Sequence, residues 1–275
     1  MTHGPEDSPI RLSGWALILG ASSGFGEATA LALAGAGMSV AGVHLDRKAT
    51  LPNAERIAGE VRRHGGQALF FNVNAADPAR RTEVLDALQH ELDARGKRGR
   101  LRVLLHSLAF GTLRPFVVPD NPKEAVSKDQ MDMTLDVMAH SLVYWTQDVV
   151  ARGLMGPGGR VFAMTSGGGA RVLPNYGAVS GAKAALESHV RQLAMELAPR
   201  HITVNAVRAG VTDTPALQKI PGSDRIKAGA LARNPGGRLT TTEDVARAIV
   251  AFSHSATYWM TGNVLGVDGG EDVVG

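Results

Sequence analysis

The feature that most constrains this chain is a regular alternation of short apolar runs with stretches of helical periodicity, from residue 15 to residue 267. The runs 15–19, 38–45, 68–71, 101–106, 160–164, 202–207 and 264–267 read as strands. The stretches 27–35, 53–64, 78–95, 130–152, 176–198 and 242–252 read as helices. A run such as Trp15-Ala-Leu-Ile-Leu19 has no polar face and therefore needs cover on both sides. Alternating strands and helices with such strands predict an α/β fold, a doubly wound parallel sheet of about seven strands with helices on both faces. Residues 1–12, with Gly4, Pro5 and Pro9, predict a loose tail, and residues 13–275 a single domain. Only 208–238 lacks a clear element, and its length and Pro/Gly content predict a lid over a cleft.

Composition excludes several kinds of function. The chain has no cysteine, which removes disulfides, thiolate nucleophiles and thiolate metal sites. Its nine histidines show no paired ligand spacing, so no metal site is expected. Net charge is +3, and the densest basic run, Arg95 to Arg100, has no aromatic platforms near it, so it reads as a solvated loop and not a nucleic-acid surface. No apolar run is long enough to span a bilayer and the first residues are polar, so the expectation is a cytoplasmic protein with neither a membrane nor a nucleic-acid partner.

Two constellations carry chemistry. The first strand runs directly into Gly20-Ala-Ser22-Ser23-Gly24-Phe25-Gly26, and a helix follows. A pyrophosphate must approach main-chain N–H groups at a helix start, and the turn that allows this needs glycine. The plainer alternative is a tight strand–helix turn with no ligand. The second is Tyr176 with Lys183, seven residues apart and so on one face of the predicted helix, about two turns from each other. Tyr176 alone would pass for a packed helix-start aromatic; its register with Lys183 and Ser166 favours a site. His106, at a strand's carboxyl end, reads equally as a crevice residue or a buried histidine, and Asp136 equally as a site residue or a helix-packing acceptor. Met131, Met133 and Met138 read as packing. Ser180-Gly-Ala-Lys183 also spells Ser-x-x-Lys, but the companion motifs of penicillin-recognising enzymes do not occur.

The Gly-x-x-x-Gly-x-Gly spacing, the tyrosine–lysine helix and the closing Val267-Asp-Gly-Gly270 resemble the short-chain dehydrogenase/reductase family along nearly the whole chain, which implies a Rossmann-type fold and a nicotinamide dinucleotide. Ordinary members carry Tyr-x-x-x-Lys, but four residues before Lys183 stands Val179. Tyr-x6-Lys, together with Leu105-His106-Ser107-Leu108-Ala109-Phe110, with Ala209-Gly210-Val211-Thr-Asp-Thr214, with Leu113-Arg-Pro115, and with Asp136 where ordinary members have asparagine, resembles the enoyl-acyl-carrier-protein reductases, closest to their NADPH-using branch. One position departs. Many such reductases have a second tyrosine ten residues before the first, and here that residue is Ser166, which is also where ordinary members keep a catalytic serine.

The resemblance implies roles by position. Tyr176, Lys183 and Ser166 would be catalytic. Gly20, Ser22, Ser23, Gly24, Phe25 and Gly26 would hold the pyrophosphate. His44, Arg47 and Lys48 would meet a 2′-phosphate, so NADP(H) is favoured, although Asp46 leaves NAD(H) open through the ribose diol. Asn72 and Val73 would face adenine. Ser107, Leu108, Ala109, Lys183, Ala209, Gly210, Val211 and Thr214 would line the rest of the cofactor site. The implied activity is reduction of an enoyl thioester in fatty acid biosynthesis, on acyl carrier protein or coenzyme A, by a homodimer or homotetramer paired through the helices at 130–152 and 176–198. A carbonyl or alcohol oxidoreductase and a dinucleotide sensor without turnover are the alternatives. Ser166 favours the former; the complete Tyr–Lys–Ser set speaks against the latter.

Overall fold

β1 (Trp15–Leu19) is wholly buried, and the rest of the sheet grows outward from it. The computed structural model describes residues 9–94 and 101–274; most of the expected tail and the Arg95–Arg100 run lie outside the described residues. The other strands are β2 (Ser39–His44), β3 (Ala68–Asn72), β4 (Leu101–His106), β5 (Arg160–Ser166), β6 (Thr203–Ala209) and β7 (Val264–Val267). They form a seven-stranded sheet in the order β3-β2-β1-β4-β5-β6-β7, and every pairing is parallel. The helices are α1 (Gly24–Gly35), α2 (Leu51–Arg63), α3 (Pro78–Ala94), α4 (Lys128–Leu135), α5 (Ser141–Ala151), α6 (Gly177–Leu197), α7 (Pro215–Gln218), α8 (Ser223–Arg233) and α9 (Thr242–Ser253).

Alternate residues of each strand feed two separate cores, as strands buried on both faces require. On one face Leu17, Leu104 and Ala163 pack with Leu88, Trp145 and Leu186 of α3, α5 and α6. On the other, Ile18, Leu105 and Phe162 pack with Leu33, Ile57 and Ile249 of α1, α2 and α9. Trp145 buries its ring completely and still satisfies its polar atom, because Nε1 donates to the Ala75 carbonyl at 2.8 Å. The chain leaves β1 toward β2 and β3, then crosses back to β4, so the strand order reverses between β1 and β4. Connections diverge there and a crevice opens at the carboxyl ends.

Two expectations need correction. The helix expected over 130–152 begins earlier, at Lys128, where Ser127 and Gln130 form a reciprocal capping box. It is also interrupted by a five-residue π-turn, Asp136–His140. Hydroxyls back-bond into this stretch: Thr134 Oγ1 donates to the Gln130 carbonyl at 2.7 Å and Ser141 Oγ to that of Val137 at 2.8 Å. Such bonds bend helices. His140 at the end of the turn lies 3.0 Å from His189 of α6, ring nitrogen to ring nitrogen. The second correction is that 208–238 contains α7 and α8. The α8 sequence, Ser-Asp-Arg-Ile-Lys-Ala-Gly-Ala-Leu-Ala-Arg, buries only Ala230, so it carries no apolar stripe from which to predict it.

Phe162 sits at the centre of one core with no exposed surface. Phe162→Ala should lower the unfolding free energy by about 3–5 kcal/mol in urea titrations followed by circular dichroism, and a loss under about 1 kcal/mol would contradict this packing.

Candidate active site

The crevice is built from loops that leave β1, β4, β5 and β6. After β1, Gly20 takes φ +89°, and a Cβ there would strike the carbonyl oxygen of Ser107, the residue after β4. The two loops therefore touch at the reversal point, and only glycine permits the approach. Ser107 N donates to the Leu19 carbonyl at 2.9 Å, and Leu108 packs beside Gly20. Ser23 caps α1 in extended geometry with no side-chain cap bond, so its side chain leaves the first N–H groups of α1 uncapped. Gly24 lies opposite the methyl of Thr214, which brings the loop after β6 across to the loop after β1. A glycine-lined turn with a helix N-terminus behind it fits a dinucleotide pyrophosphate. Phe25 packs into the core behind it.

At the far end of β2, the named side chains are mostly engaged with one another. His44 is buried, and its Nδ1 lies 2.8 Å from Asp46 Oδ2. Asn72 spends its amide on Asp46, accepting from Asp46 N at 2.8 Å and donating to Asp46 O at 3.0 Å. Burial works to raise the Asp46 carboxyl, but the hydroxyls of Thr50 and Ser22 and the ring of His44 together hold it below the ordinary range. Arg47 and Lys48 are exposed on the rim, and Val73 N donates to the His44 carbonyl at 2.8 Å.

The structure brings Tyr176 and Ser166 together, and Lys183 reaches the same strand at Met164. Ser166 ends β5, and Tyr176 caps α6 after Asn175 in the left-handed region at φ 62°. The two face each other across Gly168, where a Cβ would lie 2.6 Å from the Tyr176 ring and 3.3 Å from Ser166 Oγ. Burial raises the Tyr176 hydroxyl, with Ser166 pulling the other way. Ser166 Oγ is close enough for that influence, yet it makes no hydrogen bond of full geometry. Tyr176 therefore stays protonated and available to donate. Lys183 is 6% exposed, and Nζ donates to the Met164 carbonyl at 2.7 Å. Burial lowers its ammonium to about 8, against the pull of Glu187 one turn on, whose Oε1 accepts from Thr165 Oγ1 at 2.7 Å.

His106 is wholly buried, so of its two readings the structure supports the interior one. Its Nε2 meets Ser141 Oγ at 2.8 Å, and burial together with the nearby Lys183 charge pushes it down to about 3. Asp136 opens the π-turn and is half-buried. Met138 packs with Tyr176, Val179 and Ala182 in a small apolar cluster that Leu113, Leu173 and Ile220 complete. Phe110, Phe116 and Val117 stand exposed beyond it, with Phe116 laid against Gly177. Phe116 was not singled out from the sequence because nothing in its own neighbourhood marks it. Its place follows from the absence of a side chain at Gly177. Among the described residues no three His, Asp or Glu side chains gather as a metal site, and no helix is long and apolar enough to cross a membrane.

Residues 20–271 match the family model described as Enoyl-(Acyl carrier protein) reductase. The chain belongs to this enoyl reductase-like family of short-chain dehydrogenases/reductases. It is accordingly an NAD(P)H-dependent oxidoreductase, with a nicotinamide dinucleotide as its cofactor. It is 34% identical to the 1-cyclohexenylcarbonyl-CoA reductase of Streptomyces collinus, covering 94% of this chain and 86% of that one. It is 32% identical to the enoyl-[acyl-carrier-protein] reductase [NADH] FabI of Synechocystis, over 70% of this chain and 71% of that one. A short chain dehydrogenase from Burkholderia cenocepacia, solved in complex with NADP, superposes with a TM-score of 0.78 at 26% identity, covering 96% of this chain and all of that one, 100%.

Three outcomes follow from this geometry. Gly168→Ala should push the Tyr176 ring aside and reduce turnover about a hundredfold while the far-ultraviolet spectrum and dinucleotide affinity stay unchanged. Because Lys183 titrates near 8, kcat/KM that depends on its charge should hold below that pH and fall as pH rises through about 8. The stability effect has the opposite sign. Between about 8 and 10.5 the unfolded chain holds more protons at this group, so its contribution to stability rises with pH in that window, which thermal unfolding across the range would detect.

Proposed function

We propose that the chain reduces the 2,3 double bond of an enoyl thioester, with NADPH preferred over NADH. The observation that carries this reading is the place of Tyr176, at the very start of α6 and about 10 Å along the helix axis from Lys183 at 1.5 Å per residue. In carbonyl reduction, hydride and proton arrive on adjacent atoms, so the acid stands beside the hydride acceptor. In enoyl thioester reduction, hydride reaches the β-carbon and the negative charge develops on the thioester oxygen, farther away. A tyrosine displaced toward the helix start suits the second demand.

The dinucleotide, when bound, supplies the hydride. Gly20, Ser22, Ser23, Gly24 and Gly26 would hold its pyrophosphate and Ser107, Leu108, Ala109, Ala209, Gly210, Val211 and Thr214 the nicotinamide side. Tyr176 donates a hydrogen bond to the oxygen that becomes the enolate and can pass its proton there, with Ser166 as a second donor. Lys183 orients toward the nicotinamide ribose, and its positive charge lowers the cost of the developing anion. The apolar cluster that holds Met138, Leu173 and Ile220, with Phe116 against Gly177, supports an acyl chain. Arg47 and Lys48 on the rim support a 2′-phosphate, and Asp46 supports activity with NADH as the lesser cofactor. The same reading makes this a cytoplasmic homodimer or homotetramer of fatty acid biosynthesis, taking its substrate on acyl carrier protein or coenzyme A. The second reading, a ketone reductase, is favoured by Ser166 at the end of β5.

Oxidation of NADPH at 340 nm with crotonyl-coenzyme A, against acetoacetyl-coenzyme A, decides between them. Turnover on the enoyl thioester alone is expected, and Tyr176→Phe should lower it by about two to four orders of magnitude with dinucleotide affinity preserved. Turnover on the ketone alone would replace this reading with the second.

A further inference from the structure

Beyond β7 the chain makes one short turn, Glu271–Val273, and its two carboxylates reach into the walls of the crevice. Glu271 is 3% exposed, an unusual place for a carboxylate without partners. Its Oε2 accepts from the main-chain N–H of Val211 at 2.9 Å, and its Oε1 lies 3.5 Å from Nη2 of Arg233, the last residue of α8. Asp272 stands between two arginines. Oδ1 pairs with Arg171 at 2.9 Å, in the loop joining Ser166 to Tyr176, and Oδ2 with Arg208 of β6 at 2.9 Å. Gly167, next to Ser166, lies directly beneath the Asp272 carboxylate. Asn234, which follows α8, adds a further tie by donating to the Asp268 carbonyl at 2.9 Å. Asp268 in turn braces the turn, accepting from Gly270 N at 2.9 Å and Asp272 N at 3.3 Å.

We propose that the turn at Glu271 and Asp272 is a clasp that couples dinucleotide binding to the lid. The proposal rests on the readings that Val211 lies at the nicotinamide side and that α8 belongs to the lid. A bound dinucleotide fixes the loop at Val211. That loop is bonded to Glu271, and the other oxygen of the same carboxylate faces Arg233, so fixing one end restrains the other. Asp272 holds the catalytic loop to the same turn. Glu271 and Asp272 are thus positioning residues. They act through Val211, Arg233 and Arg171 and touch no reacting atom. A buried carboxylate shared between a main-chain N–H and a guanidinium is suited to this, since either partner left alone would face an uncompensated charge.

The test is hydrogen exchange of the α8 amides in the full-length chain, with and without saturating NADPH, alongside NADPH affinity by fluorescence. Four proteins are compared: the unaltered chain, Glu271→Gln, Arg233→Met and Arg233→Lys. Glu271→Gln keeps an acceptor for Val211 but removes the charge facing Arg233, and Arg233→Met cuts the same link from the half-exposed side. NADPH should slow α8 exchange about fivefold or more in the unaltered chain. In Glu271→Gln and Arg233→Met, NADPH should still bind but the slowing should vanish; Arg233→Lys should restore part of it. KM for the acyl substrate should rise in the two cut variants more than kcat falls. Equal slowing in all four proteins would overturn the clasp and leave the lid reading standing. No slowing in the unaltered chain with NADPH bound would overturn both. Failure of the unaltered chain to bind NADPH or NADH would overturn the cofactor-site reading beneath them.

Discussion

Lys183 carries its ammonium group into the protein beside β5, where a single main-chain carbonyl receives it and the nearest carboxylate, Glu187, is occupied by Thr165. Much of the site follows from that choice. A cation with little water around it acts strongly on its neighbours, because the field is not screened. It adds to the burial that keeps His106 neutral. It also softens its own grip on its proton. The burial that lends Lys183 its influence therefore sets an alkaline limit to that influence, and the two cannot be separated by changing the lysine alone.

The sheet provides the place where such a residue can be held. Reversal of strand order between β1 and β4 leaves a gap in the helical cover, and the loops after β1, β4, β5 and β6 all end there. Contacts between loops keep the gap narrow: Gly20 against the Ser107 carbonyl, Gly24 against Thr214, and Gly168 between Tyr176 and Ser166. At Gly20 and Gly168 the missing side chain permits the closeness, whereas Gly24 is set by its positive φ of 56°. Precision of this kind comes from rigid elements, with the loops themselves free to differ in sequence.

Much of this was legible in the sequence, for identifiable reasons. Trp15 to Leu19 could only be a strand covered on both faces, and its continuation into Gly20-x-x-x-Gly24-x-Gly26 fixed where a helix must start. Tyr176 and Lys183 share a helix face by arithmetic alone. What was not legible depends on contacts between residues distant in sequence. His44 and Asn72, which position suggested for the cofactor, are engaged with Asp46. The clasp joins residues 211 and 233 to 271, with no local pattern to announce it. α8 hides because it buries only Ala230 and so shows no apolar stripe. The π-turn hides because no glycine or proline marks it; what accompanies it are hydroxyl back-bonds and the contact of Ser141 with buried His106.

That π-turn has a consequence for how tolerant this region is to change. A π-turn is an α-helix that has taken in one extra residue, and one residue is a rotation of about 100°. α4 and α5 are therefore out of phase as sequences although the chain passes from one to the other without a break. Thr134, before the turn, meets the Thr112 main chain, and Trp145, after it, packs into the core beneath the sheet. The irregular stretch behaves as a phase shifter whose own residues are also packed, with Met138 and Ala139 buried and His140 against His189.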